Sequence, residues 1–183
     1  MQYYKLIPQI GEGKSANAFI SYSGIGDHLS FILRGEKISD IDLSKIELKN
    51  VTKTFHDLMG TGSSEFFVSD ALKNIIENIE SPENIHFIPV TLKDKQYWLL
   101  NILNNVEAFD WDNSEYVARD NNPKTLKKVT KLALKGECVG DRNIFRIKEQ
   151  YMYVLISQTL KNAIEANNLT GIAYDNIFEI KTT

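Results

Sequence analysis

FFVSDALKNIIEN, residues 66–78, returns 88 positions later as VLISQTLKNAIEA, residues 154–166. The two stretches align without a gap and share Ser69/Ser157, Leu72/Leu160, Lys73/Lys161, Asn74/Asn162, Ile76/Ile164 and Glu77/Glu165. In each, a short apolar run ends at a serine, whose hydroxyl can accept a hydrogen bond from one of the first free N–H groups of a helix. The pattern therefore predicts strand, N-cap and helix. Leu72, Ile75, Ile76 and Ile79 recur at three-and-four spacing, as do Leu160, Ala163 and Ile164, so each helix buries one face. Asp70 falls near the positive end of the first helix, where a negative charge is favourable.

Outward from these segments, SPEN (81–84) supplies a proline and turn formers before IHFIPV, a short strand; NNLTG (167–171) ends the second helix before GIAYDNI, another. Each unit reads strand, helix, strand, and the echo predicts two related units. KQYWLLNIL, TKLALK, RNIFRIKE and QYMYVLIS read as further strands, the last three joined by GECVGD and a tight connection near Glu149 and Gln150. TLKKVTKL fits two periods, since Lys127, Lys131 and Lys135 would line a helix face whereas Thr130, Leu132 and Leu134 would line a strand face; its strand neighbours favour strand. Near the start YYKLI and HLSFILRG read as strands, and the glycine- and serine-rich stretch before Phe66 as a loop. Mostly short strands interrupted by a few helices predict an α+β fold. Its mixed or antiparallel sheet carries packed amphipathic helices, and residues 1–183 form one domain.

The 183 residues are 43% hydrophobic and 25% charged, which excludes disordered, collagen-like and disulfide-scaffold classes. A chain of this length buries roughly 70% of the surface that it exposes when unfolded, enough for a core without a metal or a disulfide. The net charge of −3 and pI near 5.7 argue against nucleic acid or an anionic membrane as main partner. Cys138 is the only cysteine, and no intramolecular disulfide is possible. MQYYKLIPQIGEGKS lacks the basic and apolar regions of an export signal, and no apolar run is long enough to span a bilayer, so a cytoplasmic location is expected.

Several motifs promise chemistry and fail on spacing. GEGKS (11–15) resembles the end of a phosphate-binding loop, but the position that should hold the first glycine is Pro8, which has no N–H for a phosphate. His28, His56 and His86 show no metal-ligand spacing. Cys138 has no histidine near it in sequence. EAFDWDNSEY (107–116) opens like a calcium loop yet lacks its turn glycine and terminal glutamate. A simpler use of that stretch is a strand or turn whose Asp110, Asp112 and Ser114 present oxygen acceptors outward. The lysines at 124, 127, 128, 131 and 135 follow without interleaved aromatics, unlike a single-strand binder. No catalytic residue, metal site or cofactor is expected.

VSDALKNIIE (Val68–Glu77), FIPV (Phe87–Val90), NILNNVEAFDWDNSEY with Asn101, Asp110, Ser114 and Tyr116, NIFRI with Phe145 and Arg146, and LISQTLKNAIE leading to LTGIAY with Gly171 occur in this order. Together they resemble a family of bacterial immunity proteins from polymorphic toxin systems, formerly catalogued as a domain of unknown function. The resemblance spans about residues 66–174 and leaves 1–65 as a variable part. It implies a non-enzymatic protein that binds a cognate toxin and protects the cell that makes it. If the toxin is a nuclease with a basic groove, Glu107, Asp110, Asp112 and Glu115 form a candidate contact surface that mimics phosphates. Two other classes compete: a ligand-binding regulatory or adaptor module, stabilised by its metabolite, and a nucleotide-using enzyme, whose affinity Lys14→Ala would abolish.

Overall fold

The computed structural model describes residues 2–11, 14–15, 34–38, 54–60, 65–92, 94–119, 122–175 and 179–183. In chain order the strands are β1 (Tyr3–Pro8), β2 (Ile10–Gly11), β3 (Lys14–Ser15), β4 (Leu58–Gly60), β5 (Phe66–Val68), β6 (Ile85–Leu92) and β7 (Lys95–Ile102). They continue as β8 (Glu115–Arg119), β9 (Asn122–Leu134), β10 (Ile144–Ile147), β11 (Gln150–Ser157), β12 (Ile172–Asp175) and β13 (Glu179–Thr182). The helices are α1 (Asp70–Ile79), the single-turn α2 (Gly136–Val139) and α3 (Gln158–Ala166).

The echo is carried into three dimensions. One sheet has the order β4-β5-β7-β6 and another β10-β11-β1-β12, with every neighbouring pair antiparallel. In both, the strand entering the helix and the strand leaving it flank a central antiparallel strand. That central strand is β7 in the first unit, where it follows β6 through a turn containing Asp94 at φ 64°. In the second it is β1, from a distant part of the sequence.

Side chains repeat as well. Ser69 Oγ accepts from Leu72 N–H at 3.3 Å and Ser157 Oγ from Leu160 N–H at 3.2 Å, the capping bonds that the serines predict. Each serine hydroxyl also donates to the residue just before the adjoining strand, Ser69 to Asp57 at 2.7 Å and Ser157 to Asn143 at 2.6 Å. Lys73 bonds Glu77 at 2.5 Å while lying 4.8 and 5.3 Å above the rings of Trp98 and Phe87. Lys161 bonds Glu165 at 2.6 Å and lies 5.1 and 5.0 Å above Tyr4 and Tyr174. Trp98 Nε1 donates to Asp70 at 2.6 Å, as the Tyr4 hydroxyl donates to Gln158.

The units share one core, in which Leu72 and Ile76 of α1 and Leu160 and Ile164 of α3 pack with Leu6, Val68, Leu100 and Ile156. They are also tied at equivalent corners. Asp57 accepts from Thr170 N–H at 2.8 Å and from its hydroxyl at 2.9 Å, while Glu80 accepts from the N–H groups of Asn143 and Ile144 at 2.6 and 2.9 Å. Gly171, at φ 76°, lies so close to Leu58 O that a Cβ there would sit 2.5 Å from it.

Behind the second unit lies a third sheet, β13-β9-β8, in which β13 runs parallel to β9, so the fold mixes both pairings. Tyr3, Phe145 and Leu155 meet Leu126, Val129, Leu132 and Leu134 there. The back of the first unit forms its own cluster from Met59, Phe67, Ile88, Tyr97 and Leu99, with Ile38 and Phe55 packed on it. Arg146 is fully buried in β10 and donates to Tyr151 O at 2.7 Å. Burial pushes its guanidinium down to about 10 against the opposing charge of Glu65, also fully buried, so it stays cationic at neutral pH.

The fold is α+β, as the sequence predicts. TLKKVTKL and TKLALK form one continuous strand, β9, and GECVGD forms the short α2. The strand expected at HLSFILRG lies, except for Arg34 and Gly35, outside the described residues.

Candidate functional site

After β7 the chain crosses from the first unit to the third sheet, and the acidic stretch is built on that crossing. Val106 N–H donates to Arg146 O and Lys148 N–H to Val106 O, both at 2.8 Å, so this segment runs parallel to β10. Phe109 then bridges to Leu134 and packs its ring 4.6 Å from Trp111 and 5.6 Å from Tyr116. A cluster of one buried and two half-buried rings thus fixes the turn.

Asp110 faces into the protein at 6% exposure. Its Oδ1 accepts from Asp112 and Asn113 N–H at 3.1 Å each, and Oδ2 accepts from Asn113 Nδ2 at 2.8 Å and Thr183 Oγ1 at 2.9 Å. The bond from the Asn113 side chain, then that from Thr183, hold the carboxyl below its usual value against the opposing effect of burial. Ser114 Oγ accepts from Ala133 N–H at 2.9 Å. Asp110 and Ser114 therefore hold the turn to β9 and β13; they do not form the outward row of acceptors expected from alternation. The other three acids lie at the surface: Asp112 is exposed, and Glu107 and Glu115 have side chains 73% and 67% exposed. Glu107 pairs with Lys148 at 3.2 Å and Glu115 with Lys131 at 3.5 Å. Exposed pairs like these contribute at most about 1 kcal/mol and exchange readily with a partner's charges.

A second feature has no counterpart in the sequence reading. Between the end of α1, the 3₁₀ turn Pro82–Asn84 and the start of β6 lies a cleft of about 490 Å³, lined by Lys73, Glu77, Glu80, Pro82, Ile85, His86, Phe87 and Trp98. Glu80 is engaged inside the protein, accepting from Ser81 N–H and Asn84 Nδ2 as well as from the second unit. His86 Nδ1 is buried without a hydrogen-bond partner; burial, then the charge of Lys37, keep the ring below its usual pKa and hence neutral at pH 7. The available signal was Phe87 and Trp98, which the β6–β7 register makes diagonal neighbours of each other, since Phe87 faces Leu100 and Pro89 faces Trp98.

Among the described residues no group of histidine, cysteine and acidic side chains could hold a metal. GEGKS places Lys14–Ser15 in a strand antiparallel to Ile10–Gly11, a hairpin and not a loop entering a helix at the lysine. Cys138 is half-buried in α2. No helix among the described residues is long and apolar enough to cross a membrane.

These features define an α+β scaffold of two fused sheet-and-helix units, with acidic side chains and an aromatic cleft on its surface. The model of the immunity protein family (Imm11) matches residues 39–179, more than three quarters of the 183, and the chain belongs to that family. Membership implies a role in toxin immunity and a toxin as partner, and such proteins are generally non-enzymatic. A comparison with curated proteins finds no match.

Proposed function

We propose that this protein binds a cognate antibacterial toxin directly, blocks it in the cytoplasm of the cell that makes both, and performs no chemistry of its own. The observation that carries this reading is the immunity-family match, which runs through both sheet-and-helix units and the acidic turn. Inhibition by occlusion needs a rigid surface of about 800 Å² per partner, not a catalytic constellation. Glu107, Asp112 and Glu115 supply surface charge, and Asp110 supports them by holding their turn. Acids on rigid elements suit a toxin with a basic groove, such as a nuclease, because they accelerate encounter and complement its charge.

The test is co-expression with the toxin encoded beside the gene, scored by survival and by co-purification. Rescue with a stable complex is expected; no rescue and no complex with an active toxin overturns the reading. Asp112→Lys combined with Glu115→Lys is expected to weaken binding about tenfold, most strongly at low salt. Unchanged affinity and salt dependence would take these residues out of the contact.

A further inference from the structure

β8 ends the sheet β13-β9-β8, and among the described residues no strand pairs with its outer side. An open edge displays a row of backbone N–H and C=O groups ready for another strand, and proteins commonly deter such pairing with proline, bulges or repelling charges. The first sheet does so at β6, an edge strand that carries Pro89. β8 has no proline. Its pairing with β9 is irregular, but the extra residues all lie on β9, where residues 122–131 face the five of β8. The open strand therefore keeps an unbroken pleat, and its side chains alternate between exposed and half-buried along its whole length.

The exposed face of β8 consists of Glu115, Val117 and Arg119, while Tyr116 packs against the core on the other. Val117, at 50%, is the most exposed large apolar side chain among the described residues. Glu115 meets Lys131 only at 3.5 Å, and Arg119 has no hydrogen bond or ion pair among the described residues. Charge selects the occupant of this edge. The two charged residues have opposite signs, and each lies two positions from Val117. When a strand pairs antiparallel with its own copy about a two-fold axis through Val117, Glu115 of each copy faces Arg119 of the other, and the Val117 side chains face each other. Facing side chains in such a pair start about 5 Å apart, close enough for both ion pairs to form and for the valines to cover one another. A strand with like charges at its two ends would repel its copy; this one matches it at every exposed position.

We propose that β8 joins a second copy of this chain edge to edge, in a two-fold symmetric dimer whose sheet runs from β13-β9-β8 of one copy into β8-β9-β13 of the other. Five residues a side make a small interface, so the dimer exchanges with monomer at micromolar concentrations. Glu107 and Asp112 lie outside the paired strand and remain for a toxin, whereas a toxin that engages Glu115 competes with the second copy. The inference does not rest on the immunity reading, because its test uses the purified chain alone.

Sedimentation velocity from about 1 to 200 μM should show a monomer–dimer equilibrium that shifts with concentration. Glu115→Arg sets arginine against arginine, and Arg119→Glu sets glutamate against glutamate, at both ends of the pairing. Each should weaken self-association tenfold or more. Both substitutions fall on exposed side chains, so thermal unfolding should stay near wild type. The decisive sample is an equimolar mixture of the two variants. In their mixed dimer every facing pair has opposite signs, so the mixture should associate as wild type does although neither variant does alone. Protein that stays monomeric over the whole range overturns the proposal, as does a dimer that survives both single substitutions or a mixture that stays monomeric. A protein monomeric throughout, whose affinity for the toxin encoded beside the gene falls on Val117→Pro, would give the edge to a strand of the toxin instead.

Discussion

Asp57 and Asn143 hold the same place beside the capping serines, yet only Asp57 is ionisable. Burial raises its pKa, but bonds from the Thr170 N–H and from the Ser69 and Thr170 hydroxyls outweigh that and hold it below the usual carboxylate value. A carboxyl lowered in the folded state contributes stability that is complete above its unfolded value of about 4 and is lost as pH falls through the folded value. Asp57→Asn should therefore cost about 1 kcal/mol at pH 7, reduced from the usual worth of a charged hydrogen bond because the site is partly solvated. The difference from wild type should shrink as pH falls below about 4, as urea unfolding across that range would show. Asp110 marks the limit of reading single residues from sequence. Its alternation with Asp112 and Ser114 looked like a solvent-facing row, but Thr183, 73 positions away, supplies a donor that makes facing inward favourable.

At the scale of elements, the two capped helices were the most legible part, because a cap serine and a three-and-four apolar pattern are local signals. Replacing Ser69 or Ser157 by alanine should cost about 1 kcal/mol each, the usual worth of a cap, and nearly the same for both, given cap bonds of 3.3 and 3.2 Å. Paired denaturation curves would check the equality, and a large disparity would mean that the two caps are not equivalent. What accompanies each helix was not legible. Trp98 and Tyr4 play one role under Lys73 and Lys161, but they lie on strands with no shared motif and are brought to the same place by pairing alone. The three-residue β4 is too short for any period to register, and the lysines of β9 also fit a helix face, so only its strand neighbours favour strand there. The cleft escaped for the same reason as the aromatic pairs: its lining comes from α1, a turn and two strands whose register only the folded sheet sets.

For the whole molecule, strand content, a mixed or antiparallel sheet and packed amphipathic helices followed from the order of the predicted elements. The order of strands within the sheets did not, because nothing local indicates that β1 belongs between β11 and β12. Tyr3 and Leu6, 4% and 3% exposed, reach into different clusters from this one strand, the core behind the second unit and the core shared by both. Deleting residues 1–8 should remove the central strand of the second sheet and leave β12 without its neighbour. The expected outcome is loss of a cooperative thermal transition by circular dichroism, whereas a sharp transition near the wild-type temperature would show that the second unit closes without β1. The placement of β1 also sets a timetable for synthesis. The strands of the first unit, from Leu58 to Ile102, emerge close together and can pair while the ribosome is still at work, but more than 140 residues separate Pro8 from Gln150. At ordinary elongation rates that is a delay of roughly 7 to 28 seconds. Through that interval β1 waits for both of its neighbours, and the second unit closes only when its earliest strand meets its two latest.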